Sequence, residues 1–528
     1  MTLPVRTIAV QCGDVSIVSK GSCVGIALTL ASACASEGAP ASEDASAVDS
    51  GPPDVVDARP FDAPPTCGDG VQNGNETDVD CGGACEKCNT GRTCKTGADC
   101  REGTCFAGTC APTTWFAESN GTNVTIPPSQ TWTAVPNLSI PITLYADAFL
   151  AVRFAGTLRF AGGGNGLCHV GERFVVDGKP LGNPTWGSAI MVERGATRWH
   201  ETMHDALGIT LSKGSHQIAV ELTNANGFGA CFVDGDGGQP YDRSRLAIAA
   251  YDPKDAFYIE STGSTGAMAP GAWTAIPGVS LSPTLAAAAH VQFELSGTEY
   301  AAGSGSAHCA YRLNVDGKPL GDPNHGQTIA VGDTAGGWWA PVALAYGMDL
   351  AAGAHTIVAE ARNSGGPNAS CNAGEGGNDY SRFRLLATTR APGGPNVSME
   401  SSGAPNVLGS GSAWTPVSGL GTSFILPTDR TVQFDFIGAQ YTVSGSGHCA
   451  WRFVVDGTAL GQPDHGQALN VGDSTTWWES MSLLGYAPLK AGPHGVAVEV
   501  RNSSSSGDCG ANADANAYSR ARLLVRAP

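Results

Sequence analysis

Residues 200–204 read His-Glu-Thr-Met-His. Two histidines four apart with a glutamate between them can hold a zinc ion and polarise its water, provided that a helix turns both imidazoles to one face. His308-Cys309 and His448-Cys449 each set a base beside a thiol, the makings of a nucleophile. Asp69, Asn73, Asp78 and Asp80, with Asn75 and Glu76 among them, crowd oxygen ligands into one short segment. Calcium takes oxygen-only shells of this kind, although the spacing is not that of an EF-hand loop. The competing reading is a polar turn whose Asn and Asp side chains satisfy backbone groups. The loops Asp322-Pro-Asn-His325-Gly326 and Gln462-Pro-Asp-His465-Gly466 each offer a histidine, where an earlier loop offers Trp186.

The elements that would position these residues repeat. Residues 445–461, GSGHCAWRFVVDGTALG, have counterparts at 303–321, GSGSAHCAYRLNVDGKPLG, and at 166–182, GLCHVGERFVVDGKPLG. Each alternates apolar and polar residues into an Asp-Gly corner, the pattern of a half-buried strand entering a tight turn. Other landmarks recur in order: Glu118, Glu260 and Glu400; Trp132, Trp273 and Trp414; Arg173, Arg312 and Arg452; His216, His355 and His494; Glu221, Glu360 and Glu499. The recurring Arg and Glu predict a structural ion pair in every copy. The copies run over 114–251, 256–389 and 395–528, a period suited to a whole β-sandwich rather than a solenoid unit. No stretch carries a sustained helical period. The predicted fold is therefore mostly β, with three tandem antiparallel β-sandwiches.

This frame bears on the chemistry. Residues 200–204 align with 339–343 and 478–482, which read as strand. On a strand, residues four apart share a face but stand about 13 Å apart, too far for one metal. Zinc peptidase activity is thus the third reading. Each copy carries two cysteines: Cys168 and Cys231, Cys309 and Cys371, Cys449 and Cys509. Even counts imply disulfides in an oxidising compartment, which would leave the His-Cys pairs without a thiol. In the paired aromatics Trp338-Trp339 and Trp477-Trp478, alternation puts one ring in a core and its neighbour outside.

The chain has 528 residues and a net charge of −18, which disfavours nucleic acid and anionic membranes as ligands. Eight of its 17 cysteines fall within 67–110, too dense for a hydrophobic core, so disulfides of undetermined connectivity must hold that module. Residues 35–66 are rich in Ala, Ser, Pro and acids and predict a disordered tether. Residues 21–33 form a short apolar run after Lys20, which fits a signal-peptide core over 1–34.

Leu30-Ala31-Ser32-Ala33-Cys34 resembles a bacterial lipobox, which implies cleavage before Cys34 and lipidation of its thiol. The segment NGNETDVDCGG resembles a small Cys-rich module of bacterial surface lipoproteins. The series Cys-x-x-Arg-x-x-Val-Asp-Gly, Trp, Leu-x-x-Gly-x-His-x-Val-x-Val, Arg-Leu resembles extracellular bacterial jelly-roll modules and, more distantly, the C1q and tumour-necrosis-factor class. Copy one departs by two inserted residues between Cys168 and Arg173. The resemblance implies an exported lipoprotein at the outer membrane or cell surface that displays its sandwiches for adhesion or ligand binding. No catalysis and no cofactor beyond calcium are expected. The partner is a surface glycan or protein, and a carbohydrate-binding accessory role is the alternative. The short joints between copies are compatible with an intramolecular pseudo-trimer, with a string of independent sandwiches as the equal alternative.

Overall fold

The computed structural model describes residues 67–121, 124–160, 167–194, 199–225, 231–234, 239–303, 306–333, 338–365, 368–374, 379–402, 406–443, 447–471, 477–511 and 520–527. The signal segment, Cys34 and the tether over 35–66 lie outside the described residues. Within them the elements are strands and short 3-10 turns, and no helix is long and apolar enough to cross a membrane.

The strands follow from alternation. Ile357–Asn363, IVAEARN, buries every second residue, as a strand with one covered face must. The Asp-Gly corners are two-residue hairpin turns. Asp177 and Gly178 have φ of 51° and 74°, and Val176 pairs with Lys179. A turn with both central residues at positive φ matches the twist of its strands and selects Asp and Gly. Asp316-Gly317 and Asp456-Gly457 repeat it.

Each copy folds as two facing antiparallel sheets. In copy two, one sheet joins Ala256–Glu260, Arg384–Arg390, Ala289–Gly303 and Trp338–Leu350, with Ala369–Ala373 added beside Ala289–Gly303. The other joins Thr274–Leu281, Ile357–Asn363, Ser306–Val315 and Thr328–Asp333. Phe293, Leu313, Ile357 and Leu385 fill the space between them. Phe154, Phe174, Ile218 and Leu246 form the matching core of copy one. Phe434, Phe453, Val498 and Leu523 form that of copy three. One disulfide ties the two sheets in each copy: Cys168–Cys231, Cys309–Cys371 and Cys449–Cys509. In copy one the two inserted residues leave the bridge intact. Val170 opposes Asn224 where Cys309 opposes Asn363, and Cys168 sits two residues further along the same buried face, because side chains on a strand repeat every two residues.

The first-named sheet of each copy also meets its counterparts. Phe149, Ala249 and Tyr251 of copy one pack with Ala256 and Leu386 of copy two. Ala343 and Ala345 of copy two pack with Ile437 and Leu524 of copy three, and Leu484 of copy three packs with Ala155 and Ala247 of copy one. Apolar contact therefore joins every pair of copies. The Cys-rich module is held by Cys67–Cys85, Cys81–Cys88, Cys94–Cys105 and Cys100–Cys110. It rests on copy three, where the Gly103 carbonyl accepts from Thr428 Oγ1 at 2.8 Å and from Arg430 Nη2 at 3.1 Å.

Candidate functional site

The junction of the three copies is built on one aligned strand position. Ala148–Phe160, Ala289–Gly303 and Arg430–Val443 hold the same place in their sandwiches. In each, alternation sends Phe154, Leu295 or Phe436 into its own core and turns the preceding residue outward. Those residues are Arg153, Glu294 and Asp435, all buried. Arg153 Nε lies 2.6 Å from Glu294 Oε2 and 3.7 Å from Asp435 Oδ2. Arg526 Nη2 is 3.1 Å from the same Glu294 oxygen, and its Nε bonds the Asp435 carboxylate. His204 Nε2 is 3.0 Å from Glu294 Oε1. Gln292 Nε2 donates to the Val525 carbonyl at 3.2 Å and Gln433 Nε2 to the Ile248 carbonyl at 3.1 Å. Burial pushes the Glu294 carboxyl up, but the Arg153 guanidinium, the bond to His204 and the Arg526 guanidinium together outweigh it and hold the group well below the usual carboxylate range. The same neighbours, Glu294 and Asp435, hold Arg153 charged against its desolvation.

The His-Glu-x-x-His segment lies on the strand Trp199–Leu211, not on a helix. His204 is buried and bonded to Glu294 of copy two; the side chains of His200 and Glu201 lie outside the described residues. This is not the one-sided helical pair that zinc needs. Cys309 and Cys449, beside the histidines, are spent in disulfides. In the Cys-rich module Asp80 Oδ1 accepts from the backbone N–H of Gly68 and Gly70, each at 2.9 Å. Asp69 accepts from Val71 N–H and from the Asn73 amide, and Asp78 from Val79 and Thr93 N–H. The carboxylates of Asp69, Asp78 and Asp80 thus serve the turn itself. Among the described residues, the converging sets of three potential metal ligands are Cys94, Cys100, Cys110 and Cys67, Glu76, Cys85, and every cysteine in them is bridged.

The recurring arginines form a stack in each copy. Arg173, Arg312 and Arg452 lie 2.6 Å from Glu221, Glu360 and Glu499. Their guanidinium carbons sit 4.0, 4.1 and 4.1 Å over Trp132, Trp273 and Trp414. Each indole N–H donates to a loop proline carbonyl, of Pro184, Pro323 or Pro463. These loops reach the next copy. Trp186 meets Tyr380 with centroids 5.6 Å apart, and His465 meets Tyr241 at 4.8 Å. Trp339 is half-buried against Tyr300 and Tyr380; the side chains of Trp338, Trp477 and Trp478 lie outside the described residues.

Several carboxyls have the raised pKa that acid–base chemistry uses, but they sit inside packed sheets. Burial pushes Glu299 up to about 8 against the Tyr311 hydroxyl that donates to it at 2.8 Å. Burial, then the charge of Asp205, pushes Glu172 well above the carboxylate range. Burial takes Asp234 to about 6 despite hydrogen bonds from Ser119 and Ser244. All three are fully covered. Sequence reading missed the junction set. Its available signal was the aligned triplet Arg153, Glu294 and Asp435, opposite charges flanked by apolar residues in three copies of one strand.

No protein-family model and no curated protein matches the chain. Among solved structures, the chain is similar to a triple jelly-roll protein of the turret assembly of an archaeal virus, at 8% identity over 79% of this chain and 89% of that one, with a TM-score of 0.17. It is also similar to the tandem CBM22-1-CBM22-2 domain of Paenibacillus barcinonensis Xyn10C, at 11% identity over 53% of this chain and 99% of that one, with a TM-score of 0.14.

Proposed function

We propose that the chain is an exported, lipid-anchored surface protein. Its three β-sandwiches close as an intramolecular pseudo-trimer on a tether and present binding surfaces for a glycan or protein, without catalysis. The observation that carries this reading is the ring of contacts among the copies. Each pair shares a buried apolar patch, and charges from all three copies meet at Arg153, Glu294, Asp435 and Arg526. Such a junction suits one head better than a string of independent beads. The disulfides support export, since bridges in every copy and throughout the Cys-rich module belong to an oxidising environment. The residues that could have supported catalysis support display instead: His204, Cys309 and Cys449 are engaged within the fold.

Small-angle scattering tests the head. A compact arrangement of residues 67–528 has a radius of gyration of about 23 Å; an elongated profile with resolved lobes in a monomeric sample rejects it. The anchor is tested by Cys34→Ala, which should abolish palmitate labelling and move the protein out of the membrane fraction. A glycan array, run with the whole chain, discriminates glycan from protein as the displayed head's ligand.

A further inference from the structure

The three junctions between copies are filled differently. Two residues before Glu118, Glu260 and Glu400 stand Phe116, Tyr258 and Ser398, and each faces the neighbouring copy. At the junction of copies one and two, Tyr258 lies on Gly208: a Cβ added there would fall 2.6 Å from Tyr258 Cγ. The ring packs beside Leu386, and its hydroxyl donates to Glu260 Oε1 at 2.5 Å. At the junction of copies three and one, Phe116 lies on Tyr486 with ring centroids 4.1 Å apart. At the junction of copies two and three, the aligned pair is Ser398 on Gly347. A Cβ on Gly347 would fall 1.8 Å from Ser398 Oγ and 2.3 Å from Ser398 Cβ, so the backbones approach as closely and the serine hydroxyl, 3.0 Å from His290 Nε2, covers Gly347, but Ser398 brings no ring to reach Glu400.

What is left there is a cavity of about 180 Å³. Gly347 and Ser398 line it together with Tyr346, Met399 and Leu524, and Glu400 and Arg522 complete the lining. Leu524 holds the place of Leu386 and Glu400 that of Glu260. Glu400 keeps the same cationic partners as its counterpart, with Arg520 at 2.5 Å and Arg522 at 2.9 Å, matching Arg382 at 2.9 Å and Arg384 at 3.3 Å around Glu260. Glu260 accepts a phenol hydroxyl in addition to those two arginines, and an ionised carboxylate has lone pairs for a third donor. An apolar cavity of about 150 Å³ is large enough for a benzene ring.

We propose that this cavity binds a phenolic ring, which lies beside Ser398, Tyr346 and Leu524 and donates its hydroxyl to Glu400. Copy two displays the same phenol-to-carboxylate bond in its own Tyr258. The site is independent of the display reading, since it rests on the junction of copies two and three alone.

The test uses the full chain, p-cresol and toluene as probes, and isothermal titration or ligand-observed NMR. Wild-type protein should bind p-cresol with a Kd of about 1 mM or tighter. Toluene should bind about tenfold more weakly, because it lacks the donor for the carboxylate. Ser398→Tyr gives copy three the side chain that copy two already has; it should abolish binding and raise the melting temperature. If Ser398→Tyr does not fold, Ser398→Leu also fills the cavity and should likewise abolish binding. N-acetyl-tyrosinamide separates sources: binding like p-cresol supports a tyrosyl side chain of a partner as the ligand, and exclusion supports a free small phenol. Absence of p-cresol binding to the wild type up to about 10 mM, equal affinity for toluene, or binding retained by a folded cavity-filling variant overturns the proposal.

Discussion

Both ring nitrogens of His216 face acceptors: Nδ1 lies 2.8 Å from Asp177 Oδ2 and Nε2 2.8 Å from the Ser212 carbonyl. A neutral imidazole has one N–H, so meeting both acceptors calls for the doubly protonated ring. His355 repeats the arrangement with Asp316 and Ala351, and His494 with Asp456 and Lys490. Burial opposes the charge at His216, yet the bonds to Asp177 and Ser212 leave its pKa raised; at His355 and His494 the carboxylate bond is the largest cause of the rise. A pKa raised on folding stabilises below the unfolded value near 6.5 and loses that stabilisation as pH climbs through the folded value. The partner aspartates are lowered, Asp177 and Asp316 chiefly by the same bond and Asp456 by backbone and His494 bonds that outweigh burial. Their contribution is lost only in acid. The melting temperature should therefore fall as pH rises above about 6.5. Replacing all three histidines by Gln should flatten part of that fall; Glu299, raised to about 8, and Glu172, raised well above the carboxylate range, add to it. A triple variant with the wild-type pH slope would refute the clamps.

At the scale of elements, strands are tied across each sandwich by a bridge that spans 63, 62 or 60 residues. In the chain-entropy account a loop of this size contributes about 4 kcal/mol by restricting the unfolded chain. Cys309→Ala with Cys371→Ala should lower stability by roughly that amount, as read by urea unfolding, while leaving the strand content seen by circular dichroism in place. Peptide mapping without reduction should return Cys168 linked to Cys231; any bridge between copies would break the argument. The two-residue insertion in copy one shows why the bridge tolerates a change of length. An even insertion preserves the face that a side chain presents, and an odd one would have turned Cys168 to the other side.

For the molecule as a whole, fusion of three copies in one chain lets a shared position diverge. Three identical chains around an axis would meet there with one residue type and, if charged, one sign. Here the aligned position is Arg153, Glu294 and Asp435, and Arg526 supplies the second cation. Glu294→Leu would leave Arg153 and Arg526 facing Asp435 alone, with His204 deprived of its carboxylate partner. Removing one member of a buried ionic set leaves an uncompensated charge and costs about 3–5 kcal/mol. Chemical denaturation should show that loss. A Glu294→Leu protein of wild-type stability would mean that the junction is not formed in solution.

Much of the fold was legible in local pattern. Period-two alternation marked the strands, Asp-Gly the hairpin corners, and three-fold recurrence the repeated sandwich, because these depend on a strand's two faces and on φ at two turn residues. The recurring Arg and Glu announced their ion pair, since both lie on adjacent strands of one copy. The His-Glu-x-x-His string reads as strand from its aligned copies, and it lies on the strand Trp199–Leu211. Tertiary structure alone decided the rest. An outward residue such as Arg153 looks the same in sequence whether it faces water or another copy, and only packing between sheets far apart in the chain brings it to Glu294 and Asp435. The disulfide connectivity over 67–110 likewise depends on how that short chain turns. The cavity at Ser398 and Gly347 exists because two small residues, 51 positions apart in the sequence, meet where the other junctions bring an aromatic ring.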